Sequence, residues 1–332
     1  MKFGIRFNSD TGTLPEVVEL AVLAEEAGFD YIWYCQDLMK RDVWIALTAI
    51  AAATKRIGLG TAIVNPFSAS PAEIAMAAAS LHEFSGGRLV LGIGAGAPEF
   101  LRWVNLWPDK PFTGVKEAVA ILRRLLSGRA ADIDGQVFKG WKKSARLRFP
   151  VPGPPIPIYV GAQRPKMLQF AGEAADGALP ITFPPEAIDS VVRHIRTGAD
   201  RAGRSLADFD LAPCVWWSLA EDAGAARMAT RQLIAYYGHA LGRETLAPIG
   251  LSPEDFSGMR EAFQAGNIER AMDLITEPMY RLAMCGNATA LTERAGWLKD
   301  RGATQLNIGP PLGPDLAAAI RLTGQRVIPA LR

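Results

Sequence analysis

At 332 residues the chain is about 80 longer than the ~250 of a plain eight-fold β/α barrel, and far longer than a domain of ~100–150 residues. Apolar residues make up 49 % and charged residues 21 %, which excludes global disorder and leaves ample material for a core. The 36 Lys and Arg are balanced by 34 Asp and Glu to a formal +2 spread along the whole length, so no phosphate-backbone footprint and no nucleic-acid partner are expected.

In chain order, short apolar runs alternate with segments of helical period. Residues 3–7 read as a first strand. Thr13 with Glu16 then forms an S/T-x-x-E capping box that opens a helix over 14–27, stopped by Gly28. A strand at 30–34, a helix at 43–53 and a strand at 57–64 follow. Asn65 precedes Pro66, must be extended, and ends that strand. Ser70 with Glu73, and Pro71 in the first turn, open a helix at 71–84. A strand at 88–93 runs into a glycine series, with a helix at 115–126 beyond it. Residues 131–149 read as a small hairpin turned at Asp134-Gly135, followed by Lys142, Lys143, Arg146 and Arg148 as a solvated basic edge. Further strands are predicted at 156–160, 177–179, 210–217 and 305–308, with helices at 166–174, 185–202, 288–299 and 315–325. Several helices and the pair Tyr236 and Tyr237 fill 222–284.

Eight strands alternating with helices predict a parallel α/β sheet with right-handed crossovers, and eight units favour closure. The expectation is one domain over 1–332, a (β/α)8 TIM barrel with insertions after strands four and seven, about 97–155 and 218–287. Both insertions leave from C-terminal strand ends, where lids are built. The longest apolar stretch, 43–53, is too short to span a bilayer, and residues 1–10 lack the apolar core and cleavage site of a signal peptide. A soluble, cytoplasmic protein without a membrane partner is expected. Cys35, Cys214 and Cys285 form no C-x-x-C, and His82, His194 and His239 show no ligand spacing, so neither a disulfide framework nor a metal site is expected.

The run Gly92-Ile93-Gly94-Ala95-Gly96-Ala97-Pro98 begins like a dinucleotide fingerprint. It leads, however, into an irregular loop with Trp103, Trp107, Pro108 and Pro111, which argues against a Rossmann site. Its glycines would still let a planar or phosphorylated ligand approach the backbone. Gly161-Ala162-Gln163-Arg164-Pro165-Lys166 ends strand five and opens a helix. It reads either as a phosphate seat of free amides and cations or as a tight turn with two surface cations. Asn65 after strand three, Gln36 and Asp37 after strand two, Arg6 and Asn8 on strand one, Trp216 and Trp217 on strand seven and Asn307 on strand eight could ring the barrel mouth. No Ser-His-Asp, Cys-His or paired-carboxylate set is legible. With so few general bases, the hard chemistry points to a bound redox cofactor.

These residues resemble the bacterial-luciferase-like flavin and deazaflavin oxidoreductases, and within them the methylenetetrahydromethanopterin reductases, which use coenzyme F420. The motifs that carry the resemblance span almost the whole chain. They are residues 1–7, Arg41-Asp42-Val43, Gly60 to Pro66, Ser85-Gly86-Gly87-Arg88 into Gly92 to Gly96, Ile156 to Gly161 with Pro165-Lys166-Met167-Leu168, Ala171-Gly172-Glu173 to Asp176-Gly177, and Gly309 to Asp315. The resemblance implies a barrel, a homodimer or higher homo-oligomer, and a tricyclic redox ring across the mouth. The ring is that of F420, with FMN as the alternative. It also implies a cis peptide at Ala62-Ile63 that backs the ring, and a phosphate on the Gly94 to Gly96 and Gly161, Ala162, Gln163 and Arg164 backbones. Asp37 or Asn65 would meet the ring's polar edge. Arg6 would orient an anionic or carbonyl group of a small-molecule substrate, in a pocket walled by Trp216 or Trp217, with Asn8 a further substrate-binding candidate.

The departures matter as well. The reductase pattern carries an acidic residue where this chain has Arg6, Asp-His where it has Gln36-Asp37, and Asp where it has Ala97. A cofactor frame that is kept and a substrate that is replaced would produce this combination. The expected reaction is therefore F420-dependent hydride transfer to or from a small organic substrate other than methylenetetrahydromethanopterin. The alternatives are an FMN-dependent luciferase-like monooxygenase and a non-catalytic flavin- or deazaflavin-binding protein. A barrel hydrolase would need a metal or carboxylate pair that the sequence does not display.

Overall fold

The computed structural model describes residues 1–181 and 184–332. Its strands are β1 (Lys2–Phe7), β2 (Tyr31–Tyr34), β3 (Gly58–Thr61), β4 (Leu89–Ile93), β5 (Ile158–Ala162), β6 (Gly177–Pro180), β7 (Asp210–Leu211), β8 (Cys214–Leu219), β9 (Met284–Gly286) and β10 (Gln305–Leu312). All pairings are parallel, in the order β7-β6-β5-β4-β3-β2-β1-β10-β8-β9. Only Ala212 and Pro213 separate β7 from β8, and Ile181, just past β6, bridges to Cys214 on β8. The sheet therefore closes on itself, and β7 with β8 fills one position of the eight-fold α/β barrel read from the sequence. Strand β9 extends the sheet beside the C-terminal half of β8, from Trp217–Met284 to Leu219–Gly286.

Several elements differ from their sequence expectation for local reasons. The strand expected over 210–217 is split because Pro213 has no amide to donate. The strand expected over 57–64 stops at Thr61, where the Ala62–Ile63 peptide is cis, and pairing resumes at the Val64–Ile93 bridge. The hairpin expected over 131–149 forms no strands. Its turn residues approach, with Gly135 N donating to Phe138 O at 3.0 Å, but the Glu117 carboxylate takes the amides of Gln136, Val137 and Phe138 at 2.6, 2.9 and 2.9 Å. Those donors are lost to a ladder. The capping boxes at Thr13 and Ser70 both close as the spacing requires.

Alternation along the strands fixes what fills the barrel. Gly4, Trp33, Gly60 and Gln305 turn inward, and the Trp33 indole occupies the centre. A Cβ on Gly4 would stand 2.6 Å from Trp33 Nε1, and one on Gly60 would strike the ring. Trp33 Nε1 donates to Gln305 Oε1 at 2.7 Å, and the ring lies 5.8 Å from Tyr31 and 5.6 Å from Tyr159. The bottom is sealed by Asp210, which accepts from Tyr159 Oη at 2.6 Å, Lys2 Nζ at 3.2 Å, Gln305 Nε2 at 3.2 Å and Thr304 Oγ1. Helices outside the ring pack on the opposite strand faces. The second insertion, which includes helices Ala223–Tyr237 and Ser257–Gln264, has an apolar cluster of its own around Ile234, Leu246, Phe256 and Leu282, into which Trp216 inserts.

One buried histidine makes the fold sensitive to acid. His82, on helix Pro71–Phe84, sets Nε2 3.0 Å from the Pro154 carbonyl, while its buried Nδ1 has no partner. Burial lowers its pKa from the ordinary 6.5. The unfolded chain then takes up the proton first as pH falls, so stability is lost below about pH 6.5. His82→Gln, which can keep the hydrogen bond to Pro154, is expected to flatten the fall in melting temperature between about pH 7.5 and about pH 5. A fall as steep as that of the parent would remove His82 from the effect.

Candidate active site

The C-terminal ends of the strands open above Trp33. Arg6 follows Gly4 by two on β1, so it faces inward, and its guanidinium lies where a Gly309 side chain would be, Cζ 2.8 Å from an ideal Cβ there. Around it stand the Cys214 thiol, in hydrogen-bond contact with Arg6, and Cys35. Asn307 Nδ2 reaches Cys214 Sγ at 3.4 Å, and Cys35 Sγ reaches Asn8 Oδ1 at 3.5 Å. Burial pushes the Cys35 thiol up to about 12 and raises that of Cys214, so both stay neutral. Arg6, Asn8, Cys35, Cys214 and Asn307 thus form one layer.

One wall is nearly free of side chains except for Ile63. A Cβ on Gly94 would stand 3.2 Å from Ile63 Cγ1, and one on Gly161 would stand 2.8 Å from Ile63 Cγ2. Glycine at both positions leaves Ile63 and Ala62, each half-buried, lying against bare backbone at the rim. Thr61 Oγ1 locks this corner, donating to Gly92 O at 2.7 Å and accepting from Gly92 N at 2.9 Å. Gly96 turns the chain with φ +77° beside the Asn65 side chain, which is buried. The Asn65 Oδ1 accepts from Phe67 N, Ser68 N and Ser68 Oγ at 3.1, 2.9 and 3.1 Å. Its acceptor therefore holds the 65–68 turn, and only its Nδ2 is left for a ligand. Past Ala162, Gln163 and Arg164 are exposed at the start of helix Pro165–Ala174, whose cap has no side-chain hydrogen bond.

At the β2 rim, Asp37 is tied to Ser9: the Ser9 hydroxyl donates to Asp37 Oδ2 at 3.1 Å and accepts the Asp37 amide at 3.1 Å. The lid meets this rim through Tyr237, whose ring is 5.9 Å from that of Trp216. Burial raises the Tyr237 phenol, with Lys40 opposing and Asp37 reinforcing. Trp216 is therefore at the mouth but beneath the lid. Trp217 is not in the mouth: being next to Trp216, it takes the opposite face of β8 and packs in the layer between barrel and helices, which corrects its expected place in the pocket wall.

The sequence reading missed Ser9, Cys35, Cys214 and Gly309 as neighbours of the site. Cys35 follows from alternation once Trp33 is set inward and Cys214 from its register with Asn307, whereas Ser9 and Gly309 show their parts only through the contacts of Asp37 and Arg6. Two cavities of about 340 and 350 Å³ lie elsewhere, one lined by Met76, Leu125, Trp141 and Phe149, the other by Leu219, Glu221, Asp315 and Arg321.

Known proteins share this frame. Residues 1–305 match the model of the luciferase-like monooxygenase family. A 5,10-methylenetetrahydromethanopterin reductase of Archaeoglobus fulgidus is 37 % identical over 337 residues, covering 100 % of both chains. An F420-dependent glucose-6-phosphate dehydrogenase of Nakamurella multipartita is 28 % identical, covering 100 % of this chain and 97 % of that one. The solved coenzyme F420-dependent tetrahydromethanopterin reductase of Methanopyrus kandleri superposes with a TM-score of 0.94 at 30 % identity, covering 100 % of this chain and 99 % of that one. Full-length matches in sequence and structure, together with the barrel, place the chain: it belongs to the luciferase-like monooxygenase family and is an oxidoreductase.

Proposed function

We propose that this protein is a coenzyme F420-dependent oxidoreductase that moves hydride to or from a small organic substrate other than methylenetetrahydromethanopterin. The observation that carries the reading is the full-length match to two relatives named for F420, joined to a mouth whose wall suits a flat ring. An added Cβ at Gly161 would press on Ile63 and one at Gly94 would crowd it, so glycine at both positions keeps that wall flat. When bound, the deazaflavin ring supplies two-electron hydride chemistry that no side chain here can perform.

The chain's own residues then position and enclose. Ala62 and Ile63 back the ring beside Gly94 and Gly161. The backbone around Gly96, Ala162, Gln163 and Arg164 takes the phosphate, helped by the open helix start. Asp37 and the Nδ2 of Asn65 are available to a polar edge at the rim. Asn8 and Trp216 border the substrate space. A guanidinium is a hydrogen-bond donor with no acceptor, so Arg6 cannot take the part of the acidic residue of the reductase pattern. That exchange is the reason to set pterin reduction aside. A homodimer or higher oligomer belongs to the same proposal, supported by Ile45, Met76 and Phe84, which are large and exposed on helices Val43–Ala53 and Pro71–Phe84.

Fluorescence titration with F420 and with FMN tests this reading. Saturable F420 binding and little response to FMN are expected. Tight FMN binding without F420 binding would favour the monooxygenase. F420 binding without hydride exchange toward any of a broad panel of small alcohols, aldehydes and ketones would favour a carrier.

A further inference from the structure

We infer that the substrate of this site carries a carboxylate, gripped by Arg6 from the floor of the mouth, and that Gly309 is the residue that lets the guanidinium lie there. The inference rests on the mouth being the reaction site proposed above. Its basis is the contrast between Arg6 and the other partly buried arginines of the same chain. Arg88 is fully employed: its guanidinium donates to Ser85 O, Thr54 Oγ1, Ile57 O, Ala51 O and Thr54 O at 2.8 to 3.2 Å. Arg294 serves the Ala283 and Arg281 carbonyls and the Glu186 carboxylate.

Arg6 has nothing comparable. It takes part in none of the ion pairs among the described residues. Its Nε is buried without a partner, and its contact with Cys214 is with a thiol, a weak acceptor. Asp37, the carboxylate of the rim, is bonded to Ser9 instead. A half-buried guanidinium beside two neutral thiols, with no ion-pair partner among the described residues, is costly unless an anion completes it. Its planar fork matches a carboxylate through two parallel hydrogen bonds. Gly309 sets the aim, since any Cβ there would collide with Nη2 and stand 2.8 Å from Cζ.

The seat can be probed by calorimetric titration of acetate, pyruvate and benzoate, each against its neutral amide, into protein with and without saturating F420. At least one carboxylate is expected to bind the F420-loaded protein about tenfold or more tighter than its amide. Arg6→Gln should erase that preference. Gly309→Ala, which keeps the charge but displaces the guanidinium, should weaken carboxylate binding about fivefold. Equal binding of acids and amides would overturn the inference, as would a preference that survives Arg6→Gln. Mutual exclusion of carboxylate and F420 would also overturn it, by giving the seat to an anionic group of the cofactor. Arg6-dependent carboxylate binding in a protein that takes up no F420 would uphold the anion seat and defeat the F420 reading alone.

Discussion

Trp33→Ala is expected to lower the free energy of unfolding by roughly 3–5 kcal/mol, the range for truncating a large buried aromatic side chain. The indole is fully buried at the centre of the barrel, and two of its neighbours, Gly4 and Gly60, have no side chain that could move in to fill the space. Truncation would also leave Gln305 Oε1 without its 2.7 Å donor, a buried acceptor worth about 1–3 kcal/mol when unpaired. Domains have only about 5–15 kcal/mol in hand, so the variant should be visibly marginal. Trp33→Phe keeps most of the volume and should lose clearly less. Urea unfolding at an unchanged slope would give both numbers. A loss below about 1 kcal/mol for Trp33→Ala would show that the barrel closes over the gap.

Gly161→Val should act on the cofactor. The first carbon of the new side chain would stand 2.8 Å from Ile63 Cγ2 and its methyls would reach further into the wall. Ile63 must then shift from the wall. Overpacking of this kind costs about 1–3 kcal/mol, which corresponds to a roughly 5- to 150-fold weaker F420 affinity if the cost falls on binding. Fluorescence titration of parent and variant would read it. An affinity equal to the parent's would remove the Ile63 wall from the cofactor site.

The barrel was legible because its signals are local and repeated: alternating strands, capping boxes at Thr13 and Ser70, and glycines where helices stop. The errors share a different origin. The limbs of the 131–149 hairpin do meet, through Gly135 N to Phe138 O, Trp141 N to Ile133 O and Ala131 N to Ala145 O, but Glu117 takes three amides some twenty positions away, and no pattern within 131–149 announces that a distant carboxylate will keep a regular strand ladder from forming. Pro213 does announce itself, and the break in the strand could have been placed from its missing donor. Trp216 and Trp217 could not both face the mouth, because neighbours on a strand point oppositely; choosing between them needs the phase of the sheet, which Trp33 and Gly60 set by meeting inside it. Glycine at 94 and 161 read simply as permission for close approach. The structure adds the residue they make room for, Ile63, and extends the same logic to Gly309 beneath Arg6.

A crystal structure of the protein with F420 bound tests the central claim most directly. The expected result is the deazaflavin ring at the barrel mouth against Ala62 and Ile63, flanked by Gly94 and Gly161, with the phosphate at the 161–164 backbone. A ring in the cavity lined by Met76, Leu125, Trp141 and Phe149, or crystals grown at saturating F420 that hold none, would contradict it.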